Sequence, residues 1–310
     1  MQTVAQFVEA GIATLADLQN ALQLAMQLEF STIPPYLCAE WSIDSKNDPS
    51  RVQGMIGDIV VQEMYHFALA GNMLLAIGGT PSIAHSSFVR AYPTNTLPGD
   101  IAQALAVDLQ PLSANQLEVF MQIEYPEFPP VALRELARGP ATIGDFYDTI
   151  ASGFTTVNPA ILLNANFVSM GEEAFQIKSI ADALRAIGQI KSEGEGAPGS
   201  PDQPAAGGTQ LAHYYVFKEI LLGKTLVQNA GQWSFTGAAI RFPSVSNFSQ
   251  STITPSPSVA FNQALSQLLS GLQTCWTSGQ QPNIHAMRNL RGLGQGLIQQ
   301  GIRPEFLWAV

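Results

Sequence analysis

A glutamate and a histidine three residues apart, Glu63 and His66, have a spacing that could support chemistry. On an α-helix, positions i and i+3 lie on one face, so the two side chains could bind one ion together. Their neighbours Met64, Phe67 and Leu74 are apolar and leave the helix little polar surface. A buried carboxylate requires a partner, and a metal ion satisfies both a carboxylate and an imidazole. The alternative is a solvated polar pair.

A second carboxylate, Glu29, has a similar apolar setting in the preceding segment. Apolar residues recur there with a helical period and predict a helix over 16–41, and no other charged residue lies within ten positions of Glu29. Pro34 and Pro35 each lack an amide donor. We therefore expect this helix to kink or restart about one turn after Glu29.

The turn at 47–50 relates the two carboxylates to each other. A second helix is predicted over 51–77, ending at a Gly-Gly stop signal, and a short turn between two long helices produces an antiparallel hairpin. Glu29 lies about 18 residues before Asn47, and Glu63 lies about 16 residues after it. The two carboxylates should therefore fall at similar depth on facing helices.

Further helical repeats follow, interrupted by segments rich in proline and glycine. The predicted helices span 113–124, 143–152, 165–191, 211–222, 258–278 and 284–300. The irregular segments are 80–112, 192–209 and 225–256, the last with a small hairpin between 233–235 and 239–242. The sequence therefore predicts an all-α bundle with long loop insertions and extra C-terminal helices.

The helical segments place few carboxylates and imidazoles in apolar surroundings. These residues are Glu29, Glu63, His66, Glu124, Glu195 and His213. Two facing helices that each supply a glutamate, together with two further Glu/His pairs, are the ligand set of a di-iron or di-manganese carboxylate bundle. Carboxylates bridge two ions, each histidine adds a terminal nitrogen, and open positions admit O₂ or water. The absence of cysteine from this set argues against an iron–sulfur cluster.

Six short motifs give the chain a resemblance to a known family. They are Leu28-Glu29-Phe30-Ser31-Thr32-Ile33-Pro34-Pro35-Tyr36-Leu37, Glu63-Met64-Tyr65-His66-Phe67, Ile123-Glu124-Tyr125-Pro126-Glu127, Ile143-Gly144-Asp145-Phe146-Tyr147, Gly194-Glu195-Gly196 and His213-Tyr214-Tyr215-Val216-Phe217. In order and combination, the motifs resemble those of ferritin-like proteins related to the iminophenyl-pyruvate dimer synthases of bacterial bis-indole pathways. The resemblance spans roughly residues 15–245.

This resemblance implies a ferritin-like four-helix bundle with a metal centre, whose ligands map onto the same six residues. We expect two metal ions, with iron preferred and manganese or zinc as alternatives. The second Glu-x-x-His of the ordinary ferritin-like pattern is not continuous, because a Pro- and Gly-rich loop separates Glu195 from His213. Glu193 is an alternative to Glu195, and Glu127 is an alternative to Glu124.

The resemblance and the ligand set together favour an oxidoreductase that uses O₂ or peroxide. Its substrate would be a small organic molecule, and the resemblance suggests an imine derived from an amino acid. A non-catalytic metal-binding protein or structural partner is the alternative. Iron storage is less favoured, because the long insertions would hinder packing into a hollow shell.

Composition limits the partners and the compartment. The chain of 310 residues has a net charge of −10 and only 12% charged residues, which argues against nucleic acids and anionic membranes as partners. It lacks a signal-peptide pattern and an apolar stretch long enough to span a membrane, so we expect a cytoplasmic protein. Cys38 and Cys275 exclude a disulfide framework but leave one bridge open.

We divide the chain into a metal-binding bundle over 15–245 and a C-terminal helical extension over 246–310. The extension is rich in Gly, Gln and Ser. Its helices could cap the bundle or provide the contacts of a homodimer.

Overall fold

The computed structural model describes residues 2–103, 105–126, 129–130, 142–197, 199–203, 210–281, 283 and 285–309. Within these ranges the chain forms nine α-helices and one two-stranded antiparallel sheet, which confirms the predicted all-α class. The helices are α1 (Val4–Ala10), α2 (Leu15–Ser42), α3 (Val52–Ala76), α4 (Ala114–Ile123), α5 (Ile143–Val157), α6 (Ile180–Gly194), α7 (His213–Leu222), α8 (Val259–Ser278) and α9 (His285–Gln299). The strands are β1 (Val227–Asn229) and β2 (Gln232–Ser234). None of the helices in the described ranges combines the length and apolarity needed to cross a membrane.

The two longest helices, α2 and α3, pack together and form the frame of the bundle. Asp48 in their connection accepts hydrogen bonds from the amides of Val52 and Gln53, at 2.9 and 2.8 Å, and so caps the start of α3. Gly78 follows α3 with a φ of +78°, a conformation that favours glycine and ends the helix. The predicted hairpin of two long helices is confirmed.

Helix α2 continues through Pro34 and Pro35, so the predicted restart after Glu29 is wrong. Each proline leaves the carbonyl four residues earlier without its helical N–H donor. For Pro35 that carbonyl belongs to Ser31, and the Tyr92 hydroxyl donates a hydrogen bond to it at 2.7 Å. A side chain from the irregular segment after α3 therefore replaces the missing donor, and the helix stays intact.

Helix α6 begins later than the predicted helix over 165–191. It starts at Ile180, where the Ser179 hydroxyl accepts a hydrogen bond from the amide of Asp182 and caps the helix. The preceding residues contain a turn at Gly171, which has a φ of +71°. Helical spacing of apolar residues alone did not reveal this start, because the cap and the turn determine it.

The predicted hairpin between 233–235 and 239–242 is also wrong. Strand β2 pairs instead with β1, which precedes it. The two-residue turn between them, Ala230 and Gly231, has φ values of +48° and +80°. Alanine is rare at positive φ, so the sequence carried no clear signal for this turn.

The two C-terminal helices pack against α2. The Trp41 ring lies 6.1 Å from the ring of Phe306, nearly parallel to it, and meets Phe261 edge-on. A Cβ atom at Gly294 on α9 would lie 2.1 Å from the Trp41 ring, so the absence of a side chain permits this close approach. Arg291 on α9 forms an ion pair with Glu40 on α2.

Cys38 and Cys275 are both buried and free, so the bridge that the sequence left open is not formed. The division of the chain at residue 245 and the homodimer contacts stay predictions.

The Glu40–Arg291 pair predicts how stability depends on pH. Burial raises the pKa of Glu40 to about 7, although the neighbouring Arg291 opposes the shift. Between pH 4.5 and 7 the folded state therefore retains a proton that the unfolded state has lost, so the stability contributed by Glu40 is lost as pH rises through this range. Glu40→Gln abolishes the titration. Relative to wild type, the unfolding free energy of this variant should increase by on the order of 3 kcal/mol between pH 4.5 and 8.

Urea unfolding at a series of pH values measures this difference. Glu118→Gln, at an exposed position on α4, is the matched control and should differ from wild type by a constant amount. A Glu40→Gln variant that instead loses stability relative to wild type as pH rises would mean that the charge on Arg291 outweighs burial.

Candidate metal centre

Two groups of buried carboxylate and imidazole side chains meet inside the bundle. Glu29, Glu63 and His66 form the first group, and Glu63, Glu124 and His213 form the second. Within each group, one potential ligand atom from each residue lies within 4.8 Å of the others. Glu63, which is 2% exposed, belongs to both groups. One carboxylate could therefore contact two ions.

Four helices supply these side chains. Glu29 lies within α2, and Glu63 and His66 lie within α3. Glu124 follows the last residue of α4, and His213 is the first residue of α7. The structure therefore brings together five of the six predicted ligands, including the two glutamates that were matched in depth across the α2–α3 turn.

The imidazole of His66 contacts carboxylates through both nitrogens. Its Nδ1 lies 3.5 Å from Oε2 of Glu29 and 3.8 Å from Oε1 of Glu63. Its Nε2 lies 2.8 Å from Oε2 of Glu193. A histidine that binds a metal through one nitrogen commonly donates the other N–H to a carboxylate, which orients the ring. Glu193 occupies that orienting position, behind the ring and outside both groups.

His213 has a matching orientation. Its Nδ1 lies 2.9 Å from Oε1 of Glu63 and 3.6 Å from Oε2 of Glu124. This buried nitrogen forms no hydrogen bond of regular geometry, and its contacts with the two carboxylates are ion pairs. The Nε2 atom lies 2.9 Å from Oε1 of Gln62. The rings of His213 and His66 stack 5.7 Å apart, and both direct Nδ1 toward Glu63.

A hydroxyl group holds one oxygen of each carboxylate in the two groups. Tyr147 donates to Oε1 of Glu29 at 2.5 Å, Tyr36 donates to Oε1 of Glu124 at 2.5 Å, and Thr32 donates to Oε2 of Glu63 at 2.7 Å. The other oxygen of each carboxylate faces an imidazole. The hydroxyl groups therefore fix the carboxylates and leave one oxygen of each directed into the site.

These hydroxyl groups were not assigned from the sequence. Thr32 and Tyr36 follow Glu29 by three and seven residues, so helical spacing places them on its face of α2 and could have indicated them. Tyr147 lies on a separate helix, and only its place within one of the six motifs marked it. The sequence could not show that Tyr147 binds Glu29, because this contact depends on how α5 packs against α2.

The sixth predicted ligand, Glu195, lies outside both groups and is half-buried at the end of α6. A Cβ atom at Gly144 would lie 2.6 Å from its Oε1, so the carboxylate packs directly against the backbone of α5. Glu195 lines a cavity of about 30 Å³ together with Glu29 and Glu63. Since about 10–15 Å³ is enough to hold one water molecule, this cavity has room for a small molecule such as water or O₂. The alternative ligand Glu127 lies outside the described residues.

Burial and charge set the protonation of the centre. Burial raises the pKa of Glu63 to about 7, and the charge of Glu124 contributes to this rise. Burial lowers the pKa of His213, but the carboxylates of Glu124 and Glu63 outweigh it and raise the value to about 9. Burial also lowers the pKa of His66, but its contacts with Glu193 and Glu29 outweigh burial and raise the pKa well above its ordinary value. Protons therefore balance the buried carboxylates, and bound cations would displace them.

The model of the Ferritin-like family matches residues 22–222, and the chain belongs to this family. Its fold is similar to that of a ferritin-like protein from Caulobacter vibrioides, with a TM-score of 0.67 and 23% sequence identity over 96% of this chain and 99% of the other. No curated protein matches the chain. The predicted ferritin-like bundle is confirmed, whereas the narrower resemblance to the dimer synthases stays a prediction.

The hydrogen bonds from hydroxyl groups to the buried carboxylates should contribute more to stability than a hydrogen bond to a neutral carbonyl. Tyr147→Phe removes the donor to a buried carboxylate and should lower the unfolding free energy of chelator-treated protein by about 1.5–3 kcal/mol. Tyr92→Phe is the matched control, because its hydroxyl donates to a neutral backbone carbonyl, and it should cost about 0.5–1.5 kcal/mol. Urea unfolding measures both. Equal losses would show that the carboxylate of Glu29 does not depend on this phenol.

Proposed function

We propose that the chain binds two metal ions and is a non-haem oxidoreductase of the ferritin-like family. Glu29, Glu63 and His66 would hold one ion, and Glu63, Glu124 and His213 would hold the other. The observation that carries the proposal is the position of Glu63, whose Oε1 lies within 4 Å of Nδ1 in both histidines. Carboxylate and imidazole donors without a thiolate favour iron or manganese, with zinc as an alternative.

The donor set fits a pair of ions in two further respects. Nδ1 of His213 is buried and faces the carboxylates of Glu63 and Glu124 without a hydrogen bond of regular geometry, as expected of a nitrogen that could bind a metal. Glu193 and Gln62 contact the opposite nitrogen of each ring and would fix which nitrogen faces the ions.

The ions would supply redox chemistry with O₂ or peroxide, and the side chains around them would control access and protons. Tyr147 and Tyr36 hold their protons firmly, because burial raises the pKa of each phenol well above its ordinary value. Leu28, Ile123 and Ile190 line the cavity beside the carboxylates and would exclude bulk water.

The substrate class rests on the motif resemblance to the iminophenyl-pyruvate dimer synthases. On that basis we propose a small organic substrate, such as an imine derived from an amino acid. The cavity of about 30 Å³ has room for O₂ or water, and an organic substrate would react at its edge.

The small cavity also favours an alternative function. A metal centre beside so small a cavity suits a non-catalytic metal-binding protein or a structural partner. Iron storage is less favoured, because the long irregular segments hinder the packing of a shell.

Reaction with O₂ distinguishes the proposed oxidoreductase from this alternative. Chain loaded with ferrous iron under anaerobic conditions should develop a visible absorbance within seconds of mixing with O₂ in a stopped-flow instrument. His213→Gln, which removes the terminal nitrogen proposed for one ion, should slow this change at least tenfold. A trace without an absorbance change would favour the non-catalytic alternative.

Metal stoichiometry tests the shared role of Glu63. Elemental analysis of protein purified without chelator should find close to two ions per chain. Glu29→Gln and Glu124→Gln should each retain about one ion, whereas Glu63→Gln should lose both, because its carboxylate belongs to both groups.

Two matched variants serve as controls for this experiment. Glu40→Gln alters a buried carboxylate outside the centre and should keep two ions. Glu193→Gln should also keep two ions at saturation while lowering the affinity about 10- to 100-fold, as expected for a residue that orients a ligand. A Glu63→Gln protein with the wild-type metal content would contradict the proposal.

A further inference from the structure

A second cavity, of about 490 Å³, lies between the α2–α3 pair and the C-terminal helices. Phe30 and Phe67 contribute to its wall from α2 and α3, and Leu272 and Met287 contribute from α8 and α9. Phe30 follows Glu29, and Phe67 follows His66, so the helical turn places the cavity on an adjacent face of both helices. The residues that line the cavity are different from those that line the small cavity of the metal centre.

The lining is mostly apolar and carries no charge among the described residues. Aromatic and aliphatic side chains form most of the wall, and Met64, Met170 and Met287 add flexible thioethers that adapt to different shapes. Among the described residues that line the cavity, none carries a charged side chain. The amides of Gln281 and Asn283 lie at exposed positions, so polar groups are available at the mouth.

One buried amide, the side chain of Asn72 on α3, fixes two parts of the wall. Its Oδ1 accepts hydrogen bonds from the Trp276 indole at 2.8 Å and from the backbone amide of Val168 at 2.9 Å. Its Nδ2 donates to the carbonyl oxygens of Val168 and Phe175, both at 3.0 Å. A Cβ atom at Gly71 would lie 2.3 Å from the Trp276 ring, so glycine lets the indole lie against α3. The wall is therefore held in place by specific bonds.

We propose that this cavity is a binding site for a neutral, largely apolar small molecule. Its volume lies within the range of about 300–1,000 Å³ that is typical of ligand pockets. Protein interiors are otherwise close-packed, so a space of this size, with part of its wall fixed by hydrogen bonds, is suited to an occupant. A charged ligand is disfavoured, because the described lining offers no partner for a buried charge. The site does not depend on the metal centre.

A neutral fluorescent probe tests the site. N-phenyl-1-naphthylamine should brighten on binding to the full-length chain, and 1-decanol should displace it. Decanoate, which has the same chain length and a negative charge, should displace it at least tenfold less effectively. Chelator-treated protein should give the same result, which separates this site from the metal centre.

Substitutions locate the bound probe. Leu272→Trp places a larger side chain at the half-buried edge of the cavity and should weaken probe binding at least tenfold. Leu222→Trp, at a position that is half exposed at the end of α7, is the matched control and should bind like wild type. Circular dichroism confirms that each variant is folded.

Several outcomes would overturn the proposal. These are a wild-type protein that does not brighten the probe, equal displacement by decanoate, and equal binding by a folded Leu272→Trp variant. If the Leu272→Trp variant does not fold, the melting temperature of wild-type protein tests the site instead. 1-Decanol should raise this melting temperature and decanoate should not. A melting temperature that 1-decanol leaves unchanged would then contradict the site.

Discussion

The structure depends most on the burial of one carboxylate, that of Glu63, between two imidazoles. A buried charge is costly unless it is paired and hydrogen-bonded, so its neighbours must supply partners in fixed positions. Thr32 holds one oxygen of Glu63, and His213 contacts the other at 2.9 Å. Tyr147 and Tyr36 likewise each donate a hydrogen bond to one oxygen of a neighbouring carboxylate, that of Glu29 and that of Glu124. The raised pKa values of Glu63 and His213 favour protons on these side chains, and two cations would balance the carboxylates in their place.

Helix α2 contributes side chains to both the candidate metal centre and the large cavity. One face carries Glu29, and the adjacent face carries Phe30 and the other apolar residues of the cavity wall. Pro34 belongs to the cavity wall, and the Tyr92 hydroxyl donates a hydrogen bond to the Ser31 carbonyl, which Pro35 leaves without a helical donor. The irregular segments are therefore part of the bundle's structure. Val168 and Phe175 have a similar role, because both bind the amide of Asn72 that positions Trp276.

Local sequence predicted the α2–α3 half of the centre well. Glu29 and Glu63 could be matched in depth because a short turn fixes the register of two long helices, and a rise of about 1.5 Å per residue sets the depth of each. The other half depends on the ends of short helices. The direction of a side chain near such an end follows from caps and loop packing, so residue type alone could not decide between Glu193 and Glu195. The structure places Glu193 behind His66 and Glu195 at the cavity rim.

The claim that Glu63 contacts two ions is tested most directly by anomalous diffraction from crystals of iron-loaded protein. Data collected at the iron, manganese and zinc edges identify each ion and its ligands together. Two peaks at the iron edge are expected, one beside Glu29 and His66 and one beside Glu124 and His213, each within coordination distance of Glu63. A single peak, or two peaks of which one lies away from Glu63, would contradict the shared carboxylate.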